Sequence, residues 1–164
     1  ASGGGFEVGS IIPSGAINLE RETLQVEKGE KSPSLRTKYQ LKREYPSTDV
    51  VSFYEKEMST RGWVLCRRSD SGKRDDGWED YFQEAPGEEK REVRQAFKYL
   101  VNDEKKEVVS IRIHYLGSEK ISSDEQVEWD LNNQYVDVVH YKFMSEKYSD
   151  ILKLYKKIGL DCGG

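Results

Sequence analysis

The stretch YQLKREYPSTDVVSFYEKEMSTRGWVLC, residues 39–66, constrains the fold more than any other part of the chain. In the strand that leads into it, Leu35, Tyr39, Leu41 and Tyr45 share one parity with Thr37 and Arg43. Arg36, Lys38, Gln40, Lys42 and Glu44 share the other. That alternation predicts a half-buried antiparallel strand over 35–45 with a cationic second face. Pro46 ends the strand, because proline has no ladder donor and holds the preceding residue extended. Ser47 or Thr48 supplies an N-cap oxygen, and Asp49 suits the positive end of a helix dipole. Val50, Val51, Phe53, Tyr54 and Met58 then recur at helical spacing. Gly62 offers the left-handed residue that closes a helix, Trp63 folds back over its last turn, and 63–68 forms a second strand. The unit reads strand, helix over 47–61, strand.

The rest of the chain adds layers to that unit. Residues 1–10 read as a flexible tether or cloning remnant, and 11–164 as one α+β domain. A first strand is expected over 17–26 with Leu19, Leu24 and Val26 partly buried, then a charged loop over 27–33. Residues 69–77 form a polar connection whose Asp76-Gly77 lacks the alternate acids of a calcium loop, since Gly72 and Arg74 stand there. A strand with Trp78, Tyr81 and Phe82 is expected over 77–85, and a turn over 86–90. The best hairpin puts Tyr99 opposite Val109 and Phe97 opposite Ile111. Val93, Phe97, Tyr99 and Val101 then share a face with Val109, Ile111, Ile113 and Tyr115. Residues 127–131 and 135–143 have strand composition around an Asn132-Asn133 turn, and 135–143 is apolar on both parities, as in a strand buried on both faces. Ser145 caps a last helix over 145–158, which Gly159 closes. The fold class is α+β: an antiparallel sheet of five to seven strands with two helices packed on one face.

YPSTDVVSFYEKEMSTRGW resembles a pattern met in small exported or lipid-anchored bacterial domains of unassigned function. There a strand meets proline, an apolar-Phe-Tyr helix follows, and Gly-Trp closes it. The resemblance covers about 25 residues around 45–63. It rests on Pro46, Phe53, Tyr54, Gly62 and Trp63, implies an extracytoplasmic α+β domain, and carries over no catalytic residue.

Composition narrows the function classes. A net charge of −4 argues against a general nucleic-acid binder, so no specific nucleic acid is expected as partner. No apolar run reaches the roughly 20 residues of a membrane span, which leaves a membrane link only through an N-terminal anchor. Cys66 and Cys162 match neither zinc spacing nor a CxxC motif; they pair as one disulfide or stay as buried thiols. His114 and His140 are the sole histidines, and a shared metal would need their strands adjacent and a third ligand. No GxSxG, HExxH, P-loop or GxGxxG is present, and no cofactor is expected. What remains is a second sheet face on which parity gathers Arg36, Lys38, Lys42, Arg94, Lys98, Arg112 and His114, with Glu44 as its one acid. RNA binding on that face is disfavoured, because the aromatics share the parity the helices should cover. The expected function is therefore a non-enzymatic, exported binding domain for a protein or anionic ligand. The alternative is an anion-binding module for a polyanionic glycan or lipid headgroups on the basic face, and a hydrolase is a distant third.

Overall fold

A computed structural model describes residues 7–42, 47–68, 83–86, 92–117, 128, 130 and 132–163. Its elements in chain order are a 3₁₀ turn Val8–Ser10, β1 Ala16–Thr23, β2 Leu35–Leu41, α1 Ser47–Ser59, β3 Val64–Leu65 and β4 Arg67–Arg68. They continue with β5 Gln83–Pro86, β6 Glu92–Asn102, β7 Glu107–Leu116, β8 Gln134–Lys142, α2 Ser145–Lys157 and β9 Leu160–Asp161. The fold is α+β. Seven of the strands form one antiparallel sheet in the order β1-β2-β8-β7-β6-β3, with β5 also on β6, and β4 pairs with β9 alone.

In the opening unit α1 forms as its residues dictate, while β2 ends at Leu41, short of the strand expected to residue 45, and residues 43–46 lie outside what is described. Val50, Val51, Tyr54 and Met58 are buried on one side of α1 and join Tyr39, Leu41, Val109, Ile111, Ile113, Val136 and Val138 in the main core. Gly62 adopts φ +85°, and the Trp63 amide donates to the Met58 carbonyl, so the indole folds into the same cluster. A buried hydrogen-bond chain fastens this face. The Tyr54 hydroxyl donates to the Ile11 carbonyl at 3.0 Å, and the Tyr39 hydroxyl donates to Tyr54 at 2.7 Å. Because Tyr54 spends its only proton on Ile11, Tyr39 must be the donor between the two rings.

The two helices do not share a face, contrary to expectation. Tyr148 and Tyr155 of α2 pack with Cys66, Val101, Val108 and Phe143, and Tyr99, Tyr141, Ile151 and Leu152 join them. Those strand residues have the opposite parity to the main core, so α2 lies on the other side of the sheet from α1. The β6–β7 register differs by one residue for the same reason. Tyr99 pairs with Ser110, Leu100 with Val109 and Phe97 with Arg112, around a four-residue turn closed by Lys106 at φ +60°. A one-residue slip exchanges the faces. Ala96 and Leu100 therefore face α1 together with Val109, Ile111 and Ile113, whereas Phe97, Tyr99 and Val101 face the side of α2. Both parities are apolar at this end because helices cover both sides, so alternation could not choose the register.

Smaller differences have local causes. Strand 63–68 breaks at Cys66 into β3 and β4, which belong to different sheets. The packed chain includes Val8, which is buried in the core ahead of the boundary expected at residue 11. Leu19 and Val26 are exposed rather than partly buried, because β1 is an edge strand whose register shifts between Ile17 and Glu20, with Asn18 at φ +56°. Met144, not Ser145, occupies the N-cap of α2, without a side-chain cap. The expected cap side chains at 47–48, the connection at 69–77, and most residues of the strand over 77–85, the turn over 86–90 and the strand over 127–131 lie outside what is described. β8 is buried on both parities along Val136, Asp137 and Val138, as expected of its composition. Among the described residues no helix is long and apolar enough to cross a membrane.

Candidate ligand-binding site on the open sheet face

Among the described residues, the face that carries α2 is covered at one end only. At the other end strand register sets two rows of side chains across it. One row runs Gln40, Tyr135, His114, Gln95 from β2 through β8 and β7 to β6. The next runs Lys38, Asp137, Arg112, Phe97 along the same strands. Together with Asn18, Glu20 and Arg36, most of these residues line an open trough of about 380 Å³, within the usual range for small-molecule sites.

Asp137 organises the electrostatics. Lys38 and Arg112 are its direct cross-strand neighbours, yet its oxygens accept from Arg36, with Nε at 3.0 Å from both and Nη2 on Oδ2. The residue is only 7% exposed, and a carboxylate so buried needs this paired donor to stay charged. The bond to Asp137 raises the pKa of Arg36 above its ordinary value against the opposing effect of burial, and Glu22 adds to it at 3.3 Å. Lys38 meets Glu20 at 3.7 Å on the exposed rim.

Arg112 is placed differently. Its Nε donates to Gln95 Oε1 at 2.7 Å, and no partner engages its two Nη groups among the described residues. Burial lowers its pKa, Asp137 opposes and Arg36 assists, but a guanidinium remains charged throughout the physiological range. His114 stacks on Tyr135 with ring centroids 5.1 Å apart, and its Nδ1 is buried without a hydrogen-bond partner among the described residues. Burial, reinforced by Arg112, pushes the pKa of His114 down to about 4, so the imidazole is neutral at pH 7. The lining then holds three cations against two carboxylates, a net charge of one.

The structure divides the residues that parity had gathered. Arg36, Lys38, Arg112 and His114 come together on the open face. Lys42 follows β2, exposed, and does not line the trough. Arg94 and Lys98 project from the α1 face instead, opposite Tyr115 and Ile111, because of the one-residue register shift. Lys98 is 4% exposed, and burial, with Arg67 and Arg68 nearby, lowers its pKa to about 8. Nor is the face purely basic, since Asp137, Glu20 and Glu22 balance most of its charge. His114 and His140 lie on opposite faces; His140 bonds Glu107 at 2.8 Å and meets Trp63 edge to face. They cannot share a metal ion, and among the described residues no cluster of three metal-ligating side chains occurs. Cys66 and Cys162 are joined in a disulfide.

Sequence reasoning passed over Asp137, Tyr135, Phe97 and the amides of Asn18 and Gln40. One signal was available for Asp137. A lone aspartate within VDVV is disfavoured in a strand, so it implies a cationic partner on its own face. The aromatics Phe97 and Tyr135 stand on the open face, which removes the parity ground on which an aromatic binding surface was discounted.

Fold and site together define a class: an α+β domain whose antiparallel sheet, among the described residues, carries a weakly cationic trough at the end away from α2. No family model, curated protein or solved structure matches the chain.

Proposed function

We propose that this chain is a non-enzymatic binding domain of an extracytoplasmic compartment, and that its trough takes a small carboxylate-bearing ligand. The observation that carries the reading is the unengaged Nη edge of Arg112, held in place through Gln95 at the trough. A guanidinium edge of this kind matches a carboxylate with two parallel hydrogen bonds. Lys38 adds a flexible second cation, and neutral His114 adds a ring nitrogen without a partner. The Cys66–Cys162 disulfide supports the compartment, since such bonds persist where the surroundings are oxidising. A polyanion or an anionic bilayer is less well served, because Arg36 is committed to Asp137 and Glu22 and the trough retains one net charge.

Acetate, titrated into ¹⁵N-labelled protein, tests the reading. Amide shifts confined to Arg112, His114, Tyr135, Asp137 and their neighbours are expected, and their loss in Arg112→Gln. Absence of localised shifts, or their persistence in that variant, refutes it. Retention on heparin that the same variant leaves unchanged would point to a partner bound elsewhere on the surface.

A further inference from the structure

One strand beyond Arg112, on the same face as the trough but outside its lining, stands an exposed aromatic residue. Phe97 stands directly across from Arg112 and is 45% exposed. Its ring stacks on Tyr99 at 6.5 Å between centroids, and Tyr99 stacks on Tyr155 of α2 at 4.6 Å. Phe97 is thus the exposed end of an aromatic row anchored in the α2 core. At the opposite end of the trough stands a chain of amides. Asn18 Nδ2 donates to Gln40 Oε1 at 3.0 Å, and Gln40 Nε2 donates to Asn133 Oδ1 at 2.8 Å. Asn133 Nδ2 in turn donates to Asp130 at 2.7 Å.

We propose that the ligand is a uronate-bearing oligosaccharide, its carboxylate on Arg112, one ring against Phe97 and its hydroxyls on the amide chain. The proposal rests on the carboxylate site described above and names its ligand class. Three features point the same way. A pyranose has an apolar C–H side that packs on an aromatic ring, and Phe97 supplies that ring beside the cation. Sugar hydroxyls both donate and accept, as amide side chains do in return, and the β1–β2 end of the trough offers Asn18 and Gln40, with Asn133 hydrogen-bonded behind Gln40. From Phe97 on β6 to Gln40 on β2 the face spans three interstrand steps, roughly 14 Å at the ordinary strand spacing of ~4.8 Å. That length suits several linked rings rather than one. Charge decides against the competing macromolecule: a nucleic acid needs a row of cations for its phosphates, and the trough has one net positive charge.

Isothermal titration with a trisaccharide carrying a single uronate, its neutral methyl ester and a single-stranded DNA oligonucleotide tests this. The uronate trisaccharide binds; the ester binds at least about tenfold more weakly, the factor carried by one charge-assisted contact. Arg112→Gln removes the difference between acid and ester, while Phe97→Ala, checked as folded by circular dichroism, weakens both by a similar factor. If acetate perturbs the site but the trisaccharide binds no more tightly than acetate, or Phe97→Ala is silent, the glycan assignment falls and the carboxylate site stands. If neither acetate nor the trisaccharide binds, both fall. Tighter binding of the oligonucleotide than of the sugar also overturns the assignment.

Discussion

Removing the Cys66–Cys162 bond is the sharpest perturbation of this fold. The two cysteines are separated by 96 positions, so the bond closes β5, β6, β7, β8 and α2 into one loop. In the chain-entropy treatment, a cross-link over a loop of about 100 residues is worth about 4.7 kcal/mol through the unfolded state. At the bond's far end β9 pairs with β4 through Arg67–Asp161 and Arg68–Leu160. Cys66 itself is fully buried in the cluster of Val101, Val108 and Tyr155, against which Leu160 and Cys162 pack. For a domain whose total stability is about 5–15 kcal/mol, that loss is a third or more. The double variant Cys66→Ala, Cys162→Ala is expected to lower the urea midpoint by about 2 M at an m-value of ~2 kcal/mol/M. Reduction of the parent protein should reproduce the shift, and hydrogen exchange should quicken first in β9 and the last turn of α2. Two results would refute the reasoning: alkylation of two thiols in the unreduced parent, or midpoints of parent and variant that agree within about 0.3 M.

Two further perturbations bear on the two faces. The folded pKa of His114, about 4, lies below its ordinary 6.5, so between those values the unfolded chain binds a proton that the folded chain refuses. Stability is therefore full above pH 6.5 and falls as pH drops towards 4, by about 3 kcal/mol at ~1.4 kcal/mol per pH unit. Thermal unfolding at pH 7, 5.5 and 4.5 should show a flatter profile for His114→Gln; an identical profile would sink the assignment. On the α1 face, Tyr54→Phe strips the Ile11 carbonyl of a buried donor and should cost roughly 1–3 kcal/mol in urea unfolding, with a neutral result counting against the hydroxyl chain.

Much of the architecture was legible in single residues whose conformational preferences are local. Gly62 and Trp63 close α1 as their chemistry dictates, and Val50, Val51, Tyr54 and Met58 bury the face their spacing predicts. The α+β class and the antiparallel sheet follow from strand alternation and from connections too short for parallel crossovers. The site was legible in part. Arg36, Lys38, Arg112 and His114 do share one face, but Arg94 and Lys98 lie on the other. The error has one cause, because strand parity defines two faces without naming them, and a register shifted by one exchanges their residues.

Tertiary structure alone decided the rest. Helices on both sides of the β6–β7 hairpin make both of its parities apolar, so only packing against α1 and α2 separates Leu100 from Tyr99. The pairing of Arg36 with Asp137 spans 101 positions, and the disulfide spans 96. Contacts so distant leave no periodic trace in the chain. Within residues 39–66, therefore, the sequence by itself determined which face the helix buries and how the helix ends, since apolar spacing and a glycine stop act through neighbours. Which cation Asp137 would take, and hence which guanidinium would be left open in the trough, depended on strands brought together from opposite ends of the chain.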